Sequence, residues 1–185
     1  ADFLQRAHQA DERYSVRESI RRVLAVESPL ISRLDLIVVD DGSTDGTRAI
    51  LRELAQQHPT RITYIEHERN QGKGAAVRTG FSRATNEITV IQDADLEYNP
   101  ADIPRLMLPF LRDGADAVFG SRFLAGEYRR VLYYWHSLAN KCLTGMCNVL
   151  TDLNLTDIET CYKAVRTPLL QSIPLRSNDL RIEPE

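Results

Sequence analysis

The sequence predicts an α/β fold in which a mostly parallel sheet is flanked by helices. Short apolar runs of strand length alternate with amphipathic stretches, and the spacing between the runs leaves room for helical crossovers. The chain has 185 residues, of which 43% are hydrophobic, so it is long enough for one well-buried domain and too short for two. We therefore expect residues 1–185 to form a single domain.

The first half of the chain is expected to contain three strands and three helices. A capping box at Ser15 and Glu18 opens the first helix. The apolar run 36–39 is continuous, which is typical of a buried parallel strand. The other strands are predicted at 62–65 and 88–91, the other helices at about 44–57 and 74–84, and the inward-facing residues are Ile20, Val23, Leu24, Ile50, Leu51 and Leu54.

The second half is expected to contain one more strand, at 117–119, and two helices. Asn99 and Pro100 begin the first of these helices, because proline is favoured at the first helical position. The segment 131–150 is amphipathic, and we interpret its apolar stripe as core, with contact to a membrane surface as the alternative. The stripe comprises Leu132, Trp135, Ala139, Cys142, Leu143, Met146 and Val149, and the residues off it are His136, Asn140, Lys141, Thr144 and Asn148.

Polar residues follow three of the predicted strands at their carboxyl ends. Asp40 and Asp41 follow the first strand, Asp93 and Asp95 the third, and Arg122 the fourth. In open parallel sheets, ligands bind beyond the carboxyl ends of the strands. We therefore expect these residues, distant in the chain, to meet at one rim.

The stretch 93–97 carries carboxylates at alternate positions, Asp93, Asp95 and Glu97. In an extended segment all three point to one side, and a divalent cation would relieve their repulsion. Mg²⁺ or Mn²⁺ is typically held by one or two carboxylates together with substrate phosphates. These three residues are therefore candidate metal ligands; the alternative is a solvated acidic turn before a helix.

The segment DDGSTDGT at 40–47 is a candidate nucleoside site. Carboxylates at a strand end, here Asp40 and Asp41, accept hydrogen bonds from a nucleobase or a ribose. Gly42 is suited to a positive φ, and Ser43 or Thr44 to capping the next helix. The alternative is an ordinary strand–turn–helix junction.

Three more polar features complete the candidate site. The segment NQGKG at 70–74 offers backbone N–H groups around Gly72 and the ammonium of Lys73 to a diphosphate, unless it is only a helix-starting loop. Arg122 suits phosphate oxygens, although a salt bridge to the acidic rim would explain it as well. Asp157 is suited to act as a general base or to orient a neighbouring cation, and the sequence leaves both roles open.

Five sequence blocks together resemble the family-2 glycosyltransferases, in particular the dolichyl- and polyprenyl-phosphate mannose or glucose synthases. In chain order they are IVVDDGSTDGT, NQGKGAAVRTG, QDADLEYNP, FGSRF and TDIETCYKAVR, within residues 35–166. The resemblance implies a glycosyltransferase A fold with a Rossmann-like nucleotide-binding sheet. It also implies an inverting transfer of a hexose from a GDP-mannose- or UDP-glucose-type donor to a polyprenyl or dolichyl phosphate.

The resemblance also implies roles for individual residues. Asp40 and Asp41 would contact the nucleoside, Asp93 and Asp95 would serve the nucleotide and the metal, Glu97 would be a further metal ligand, Arg122 would touch phosphate, and Asp157 would lie near the acceptor. The expected nucleotide-sugar site comprises Asp40, Asp41, Ser43, Gly72, Lys73, Asp93 and Ala94, and the expected catalytic residues are Arg122 and Asp157.

The two ends of the chain depart from the family pattern. Members of the family open with a strand of the type VVIPVYNE, whereas residues 3–12 read FLQRAHQADE. Relatives also continue beyond the position of Glu185. We therefore expect an atypical first strand and a truncated C-terminal part.

Composition limits which binding partners and which cellular location are expected for the protein. The formal net charge of -3 argues against nucleic acid as a partner. The sequence lacks an apolar run of about 18 residues and a signal peptide, and its three cysteines form no CxxC pair. We expect a cytoplasmic protein with buried thiols, peripheral at the membrane face where a lipid-phosphate acceptor would lie.

Three other functions remain open from the sequence. A family-2 enzyme could act instead on a sugar hydroxyl in polysaccharide or cell-envelope synthesis. A strand ending in two aspartates also marks receiver-like signalling domains. A third alternative is a module that binds a sugar nucleotide without turning it over, whereas NAD binding is disfavoured because no G-x-G-x-x-G follows a strand.

Overall fold

The computed structural model describes residues 15–94, 96, 98–121, 123 and 134–178. Residues 15–24 form helix α1. The strands are β1 (Leu36–Asp40), β2 (Ile62–Glu66), β3 (Ile88–Val90), β4 (Ala117–Phe119) and β5 (Lys163–Arg166). The other helices are α2 (Thr47–Gln57), α3 (Lys73–Arg83), α4 (Ile103–Arg112), α5 (Tyr134–Thr151) and α6 (Thr167–Ser172), and a 3-10 turn, Pro100–Asp102, precedes α4. The expected first strand within residues 3–12 lies outside the described residues.

Strands β1 and β2 form a parallel pair in which Leu36 lies opposite Ile62 and Asp40 opposite Glu66. The parallel pairing predicted for the first strand is confirmed, although its residues are half-buried rather than fully buried. Helices α1 and α2 cover this pair through one apolar cluster, to which Leu24, Ile50 and other partly buried residues add their packing. The buried members of the cluster are Ile20, Leu51, Leu54 and Ile62.

A second sheet has the order β3-β5-β4, and β5 pairs antiparallel with both neighbours. Because both flanking strands run opposite to β5, β3 and β4 run in the same direction. Helix α4 packs its apolar face on this sheet, and the buried residues of the cluster are Ile103, Leu106, Met107, Phe110, Tyr162 and Ala164. Strand β5 was not predicted from the sequence, because KAVR is a four-residue strand with a charged residue at each end.

The start of α2 differs from the prediction. The helix begins at Thr47, after Gly46 in a left-handed conformation with φ of 93°, so Ser43 and Thr44 lie too far upstream to cap it. Instead, the Asp45 carboxylate accepts hydrogen bonds from the Thr47 backbone N–H at 3.0 Å and from its hydroxyl at 2.9 Å. By contrast, the prediction for Asn99 is confirmed, since its side chain accepts from the Ala101 N–H at the start of the 3-10 turn.

Helix α5 faces the opposite way from the prediction. Its buried residues are Asn140 and Thr144, whereas the apolar stripe, including Trp135 and Val149, points outward. Asn140 is 3% exposed and Val149 is 85% exposed. The interpretation of the stripe as core is therefore wrong for its described members, while Leu132 lies outside the described residues. Cys142 is exposed on the same helix, so the expectation of buried thiols holds only for Cys161.

Within the described ranges, no helix combines the length and the hydropathy that crossing a bilayer requires.

Candidate functional site

The turns after β1, β2 and β3 are linked by side-chain contacts at their carboxyl ends. Asp41, after β1, accepts hydrogen bonds from the loop that follows β2, and Lys73 at the end of that loop pairs with Asp93 after β3. The structure thus brings three separate chain segments together, as the rim argument expects. Asp95, Glu97 and Arg122 lie outside the described residues.

Asp40 is enclosed by its own turn and by α2. Its side chain is 0% exposed and accepts hydrogen bonds from the Ser43 N–H at 3.0 Å, Arg48 Nε at 2.9 Å and the Tyr64 hydroxyl at 3.3 Å. Burial raises the pKa of this carboxyl, but the hydrogen bonds from Ser43 and Arg48 outweigh burial and hold the pKa below its usual range. Asp40 therefore organises the end of β1 from within, and Ser43 contributes its backbone to that arrangement.

Asp41, the next residue, has the more open carboxylate, 18% exposed. Its oxygens accept hydrogen bonds from the backbone N–H groups of Gln71 at 2.9 Å and Gly72 at 2.8 Å, and one oxygen lies 2.7 Å from His67 Nδ1. Burial raises its pKa, and these donors lower it further than burial raises it. Asp41 is thus an ionised carboxylate that holds the loop 70–72 against the end of β1.

The approach of the two turns explains the glycine at position 42. Gly42 has φ of 79°, as predicted, and a Cβ built there would lie 2.5 Å from the backbone nitrogen of Asn70. A side chain would therefore collide with the neighbouring backbone in addition to straining its own.

Three of the backbone amides in the predicted diphosphate segment 70–74, and that of the following Ala75, are bonded within the protein. Those of Gln71 and Gly72 donate to Asp41, and those of Gly74 and Ala75 donate to the carbonyl of Asn178. A Cβ at Gly74 would lie 2.1 Å from the Ser177 carbonyl oxygen, so the chain near 177 packs directly on the start of α3. These four amides therefore hold the loop and the start of α3 in place, and the ammonium of Lys73 is a group of this segment suited to a phosphate.

Lys73 Nζ lies 3.2 Å from one oxygen of Asp93 and 3.4 Å from the other, and both side chains are partly exposed. The Asp93 N–H points to the sulfur of Cys161 at 3.1 Å, which joins the end of β3 to the segment before β5. Burial, followed by the nearby Asp93 charge, raises the pKa of the Cys161 thiol to about 12, so Cys161 is a neutral packing residue. Ala94, the next residue, is exposed.

Asp93 is one candidate ligand for a divalent cation, and the described residues contain no group of three His, Cys, Asp or Glu side chains that could hold a metal ion. A partly exposed carboxylate oxygen at a strand end is a ligand type that Mg²⁺ and Mn²⁺ accept, usually in company with phosphate oxygens. In this structure the carboxylate of Asp93 is paired with the ammonium of Lys73, so a cation bound there would share or displace that ion pair.

Asp157 lies away from the surface, under α5. It is 1% exposed, and one of its oxygens accepts a hydrogen bond from the Asn140 side chain at 2.7 Å. The Thr144 hydroxyl accepts a hydrogen bond from the Ile158 N–H and donates one to Oδ1 of Asn140 at 3.3 Å. This buried polar set fastens α5 to the segment before β5.

Two residues that shape the site, Arg48 and His67, were not predicted from the sequence. Arg48 pairs with Asp40 and donates to the backbone carbonyl of His67 at 3.2 Å. His67 follows β2 at its carboxyl end and contacts Asp41. Its position directly after an apolar strand, equivalent to that of Asp41 after β1, was the signal available in the sequence.

Solved structures support the fold. A mannosyltransferase from Pyrobaculum calidifontis, solved with GDP-Man and Mn²⁺, superposes with a TM-score of 0.61 at 21% identity, over 89% of this chain and 44% of that one. Glucosyl-3-phosphoglycerate synthase from Mycobacterium tuberculosis gives a TM-score of 0.57 at 22% identity, over 89% and 56%. The chain has the glycosyltransferase A fold.

Curated relatives agree with the resemblance noted in the sequence. Polyprenol monophosphomannose synthase of Mycolicibacterium smegmatis is 31% identical over 169 residues, which are 90% of this chain and 63% of that protein. Dodecaprenyl-phosphate galacturonate synthase of Rhizobium johnstonii is 27% identical over 94% of this chain and 50% of its own length. The chain thus spans less than two thirds of the length of either relative.

The family profile described as glycosyl transferase family 2 matches residues 11–173. This match excludes the receiver-like signalling domain that the paired aspartates suggested. The chain belongs to glycosyl transferase family 2.

Proposed function

We propose that this domain transfers a hexose from a nucleotide-diphosphate sugar, of the GDP-mannose or UDP-glucose type, to a polyprenyl phosphate, with inversion at the anomeric carbon. The observation that carries the proposal is the linked set Asp41, loop 70–72, Lys73 and Asp93, which joins three strand ends at one rim. Open α/β sheets bind nucleotides at such a rim. The names of the polyprenyl-phosphate relatives support the acceptor class.

The donor would lie along this rim. Asp41 is the more exposed of the two adjacent acids and the better candidate for the nucleoside, while Asp40 supports the turn from inside. Lys73 would meet the diphosphate, and Asp93, with Asp95 and Glu97, would hold a divalent cation. When bound, such a cation stabilises negative charge on the leaving diphosphate, and Arg122 would add to that stabilisation.

The burial of Asp157 supports a phosphate acceptor over a sugar hydroxyl. A lipid phosphate is already anionic near neutral pH and needs no general base, whereas a hydroxyl must lose its proton. Asp157 is 1% exposed and bonded to Asn140, which suits a residue that positions α5 better than one that receives a proton from an acceptor. We therefore assign Asp157 a supporting role near the acceptor.

The outward face of α5 supports a location at a membrane surface. Its exposed apolar side chains include Trp135, Met146, Val149 and Leu150, and the helix contains no acidic residue. Lys141, also exposed, adds a positive charge. A helix with aromatic and aliphatic residues outward and a cation among them fits the interface of an anionic bilayer, where a polyprenyl phosphate is anchored.

The test is a transfer assay with GDP-mannose, UDP-glucose and related donors, a short-chain polyprenyl phosphate, and Mg²⁺ or Mn²⁺. We expect one donor to yield a polyprenyl-phosphate sugar of inverted anomeric configuration by NMR. Donor binding without product from any acceptor would favour the non-catalytic binding module, and product only with sugar hydroxyls would favour the polysaccharide alternative.

A matched pair of variants tests the assignment of Lys73. Replacing Lys73→Gln removes the ammonium, and we expect donor binding to weaken about tenfold or more, since hydrogen bonds to charged groups are worth about 1.5–3 kcal/mol. Arg69→Gln removes an exposed cation a few residues away and should leave the donor Kd unchanged, as measured by calorimetry. An equal loss of donor affinity in both variants would show that net positive charge, and not a specific contact with Lys73, accounts for the effect.

A further inference from the structure

His67 is held on every side by hydrogen bonds. Its backbone N–H donates to the Asp40 carbonyl at 2.9 Å, and its own carbonyl accepts from Arg48 at 3.2 Å. On the ring, Nδ1 lies 2.7 Å from Asp41 and Nε2 lies 2.9 Å from the Thr79 hydroxyl. The residue is 9% exposed. Such a set of contacts permits a single side-chain orientation.

The direction of the bond between His67 and Asp41 follows from the state of the carboxyl. Asp41 has a lowered pKa and is ionised near neutral pH, so it offers only acceptor oxygens. Nδ1 therefore carries the proton and donates it. Thr79, whose hydroxyl also lies 3.0 Å from the Ala75 carbonyl, anchors the other side of the ring to α3.

The consequence reaches the loop that Asp41 holds. The same Asp41 oxygen that meets His67 also accepts from the Gln71 N–H, and its second oxygen accepts from the Gly72 N–H. Lys73 follows directly and pairs with Asp93. Without the Nδ1–H donor, the Asp41 carboxylate would lose one of these three partners, and with it the group that sets its orientation. The loop 70–72 would then no longer be held in one position by Asp41.

We propose that His67 is a positioning residue for donor binding, which fixes the loop 70–72, and with it Lys73 opposite Asp93, by orienting the Asp41 carboxylate. This inference rests on the proposed function, since the loop matters for a nucleotide-sugar donor. His67 itself touches no reacting atom in this scheme. Its effect is on the affinity for the donor, and it is transmitted through Asp41.

Two substitutions separate the contacts of the ring. In His67→Asn the amide nitrogen falls near the position of Nδ1 and keeps a donor for Asp41, whereas in His67→Gln it falls near Nε2 and keeps only the contact with Thr79. We expect His67→Gln to raise the donor KM and Kd about tenfold with kcat within about twofold of the wild type, and His67→Asn to retain most of the affinity. His58→Gln, at the end of α2, is the matched control and should behave as the wild type.

Hydrogen exchange of the Gln71 and Gly72 amides, measured in the ligand-free chain, is the second readout. We expect faster exchange of both amides in His67→Gln than in His67→Asn at equal thermal stability. Unchanged exchange and unchanged donor Kd in His67→Gln would overturn the proposal, as would losses in both variants that follow the loss of stability alone. A wild-type chain that binds no sugar nucleotide would instead overturn the proposed function, and the exchange data would still decide whether His67 fixes the loop.

Discussion

Helices α2 and α5 are both amphipathic, yet they bury opposite faces. Helix α2 buries Leu51 and Leu54 beneath α1 and above β2. Helix α5 buries Asn140 and Thr144 and turns its apolar stripe outward. A period of 3.6 residues therefore identifies the two faces of a helix but not the face that packs against the protein.

The inward face of α5 can be polar because its polar side chains have hydrogen-bond partners in the segment that follows the helix. Asn140 donates to Asp157, Thr144 accepts from the Ile158 N–H, and the Asn148 side chain both donates to and accepts from the backbone of Leu155, at 2.8 and 2.9 Å. Buried polar groups are tolerated when they are bonded in this way. Positions 140, 144 and 148 repeat every four residues, so this polar stripe was also present in the sequence.

The largest expected difference between the two helices is in the free energy of unfolding. Leu51→Ala leaves a cavity in the cluster below α2 and should lower that free energy by about 2–5 kcal/mol. Val149→Ala removes an 85% exposed side chain and should change it by less than about 0.5 kcal/mol. Urea denaturation of both variants measures the contrast. A large loss in Val149→Ala would mean that α5 packs through its apolar stripe after all.

The polar contacts of α5 should have a smaller but measurable effect. Asn140→Ala removes the donor to the buried Asp157 carboxylate, and we expect a loss of about 1–3 kcal/mol in the free energy of unfolding. Asn154→Ala, at an exposed position after the helix, serves as the control and should be close to neutral. Identical denaturation curves for the two variants would show that Asn140 contributes nothing to fastening the helix.

The outward stripe should matter for membrane binding and not for folding. The triple change Met146→Ser, Val149→Ser and Leu150→Ser removes three exposed apolar side chains, and we expect at least about tenfold weaker partitioning onto anionic vesicles. Leu111→Ser, on the exposed side of α4, is the control. Vesicle sedimentation measures the partitioning, and equal binding of the triple variant and the wild type would contradict the membrane role of α5.

Much of the fold could be predicted from local patterns. The runs that became β1 to β4 are apolar and bounded by turn residues, and α2 and α3 occupy the stretches between them. The strand β5 could not be predicted in the same way, because only two apolar residues lie between Lys163 and Arg166. Its partners, β3 and β4, also lie far away in the chain. Non-local pairing decides such a strand, not its own residues.

The candidate site also contains residues that local patterns predicted and residues that they did not. Asp41 and Asp93 could be named because strand ends collect ligand-binding residues, and Lys73 because it lies in a loop that begins a helix. The contacts among the three agree with that reasoning. The difference in burial between Asp40 and Asp41 could not be predicted. Adjacent side chains on a strand point to opposite faces, and only the packing shows which face is buried. His67 was missed because its role depends on Asp41 and Thr79, which come from other elements.

Residue patterns alone predicted β1 to β4, α1 to α5, the acids and glycines at the strand ends, and the resemblance to the family, but neither β5 nor α6. Contacts between distant segments were needed to show that α5 packs through its polar face and that His67 bonds to Asp41. The same holds for the bonds from the Gln71 and Gly72 amides to Asp41 and from the first amides of α3 to Asn178. A local sequence pattern reflects only whether each residue prefers solvent or a buried position. A hydrogen bond or a buried face, by contrast, exists only when a second segment arrives to complete it.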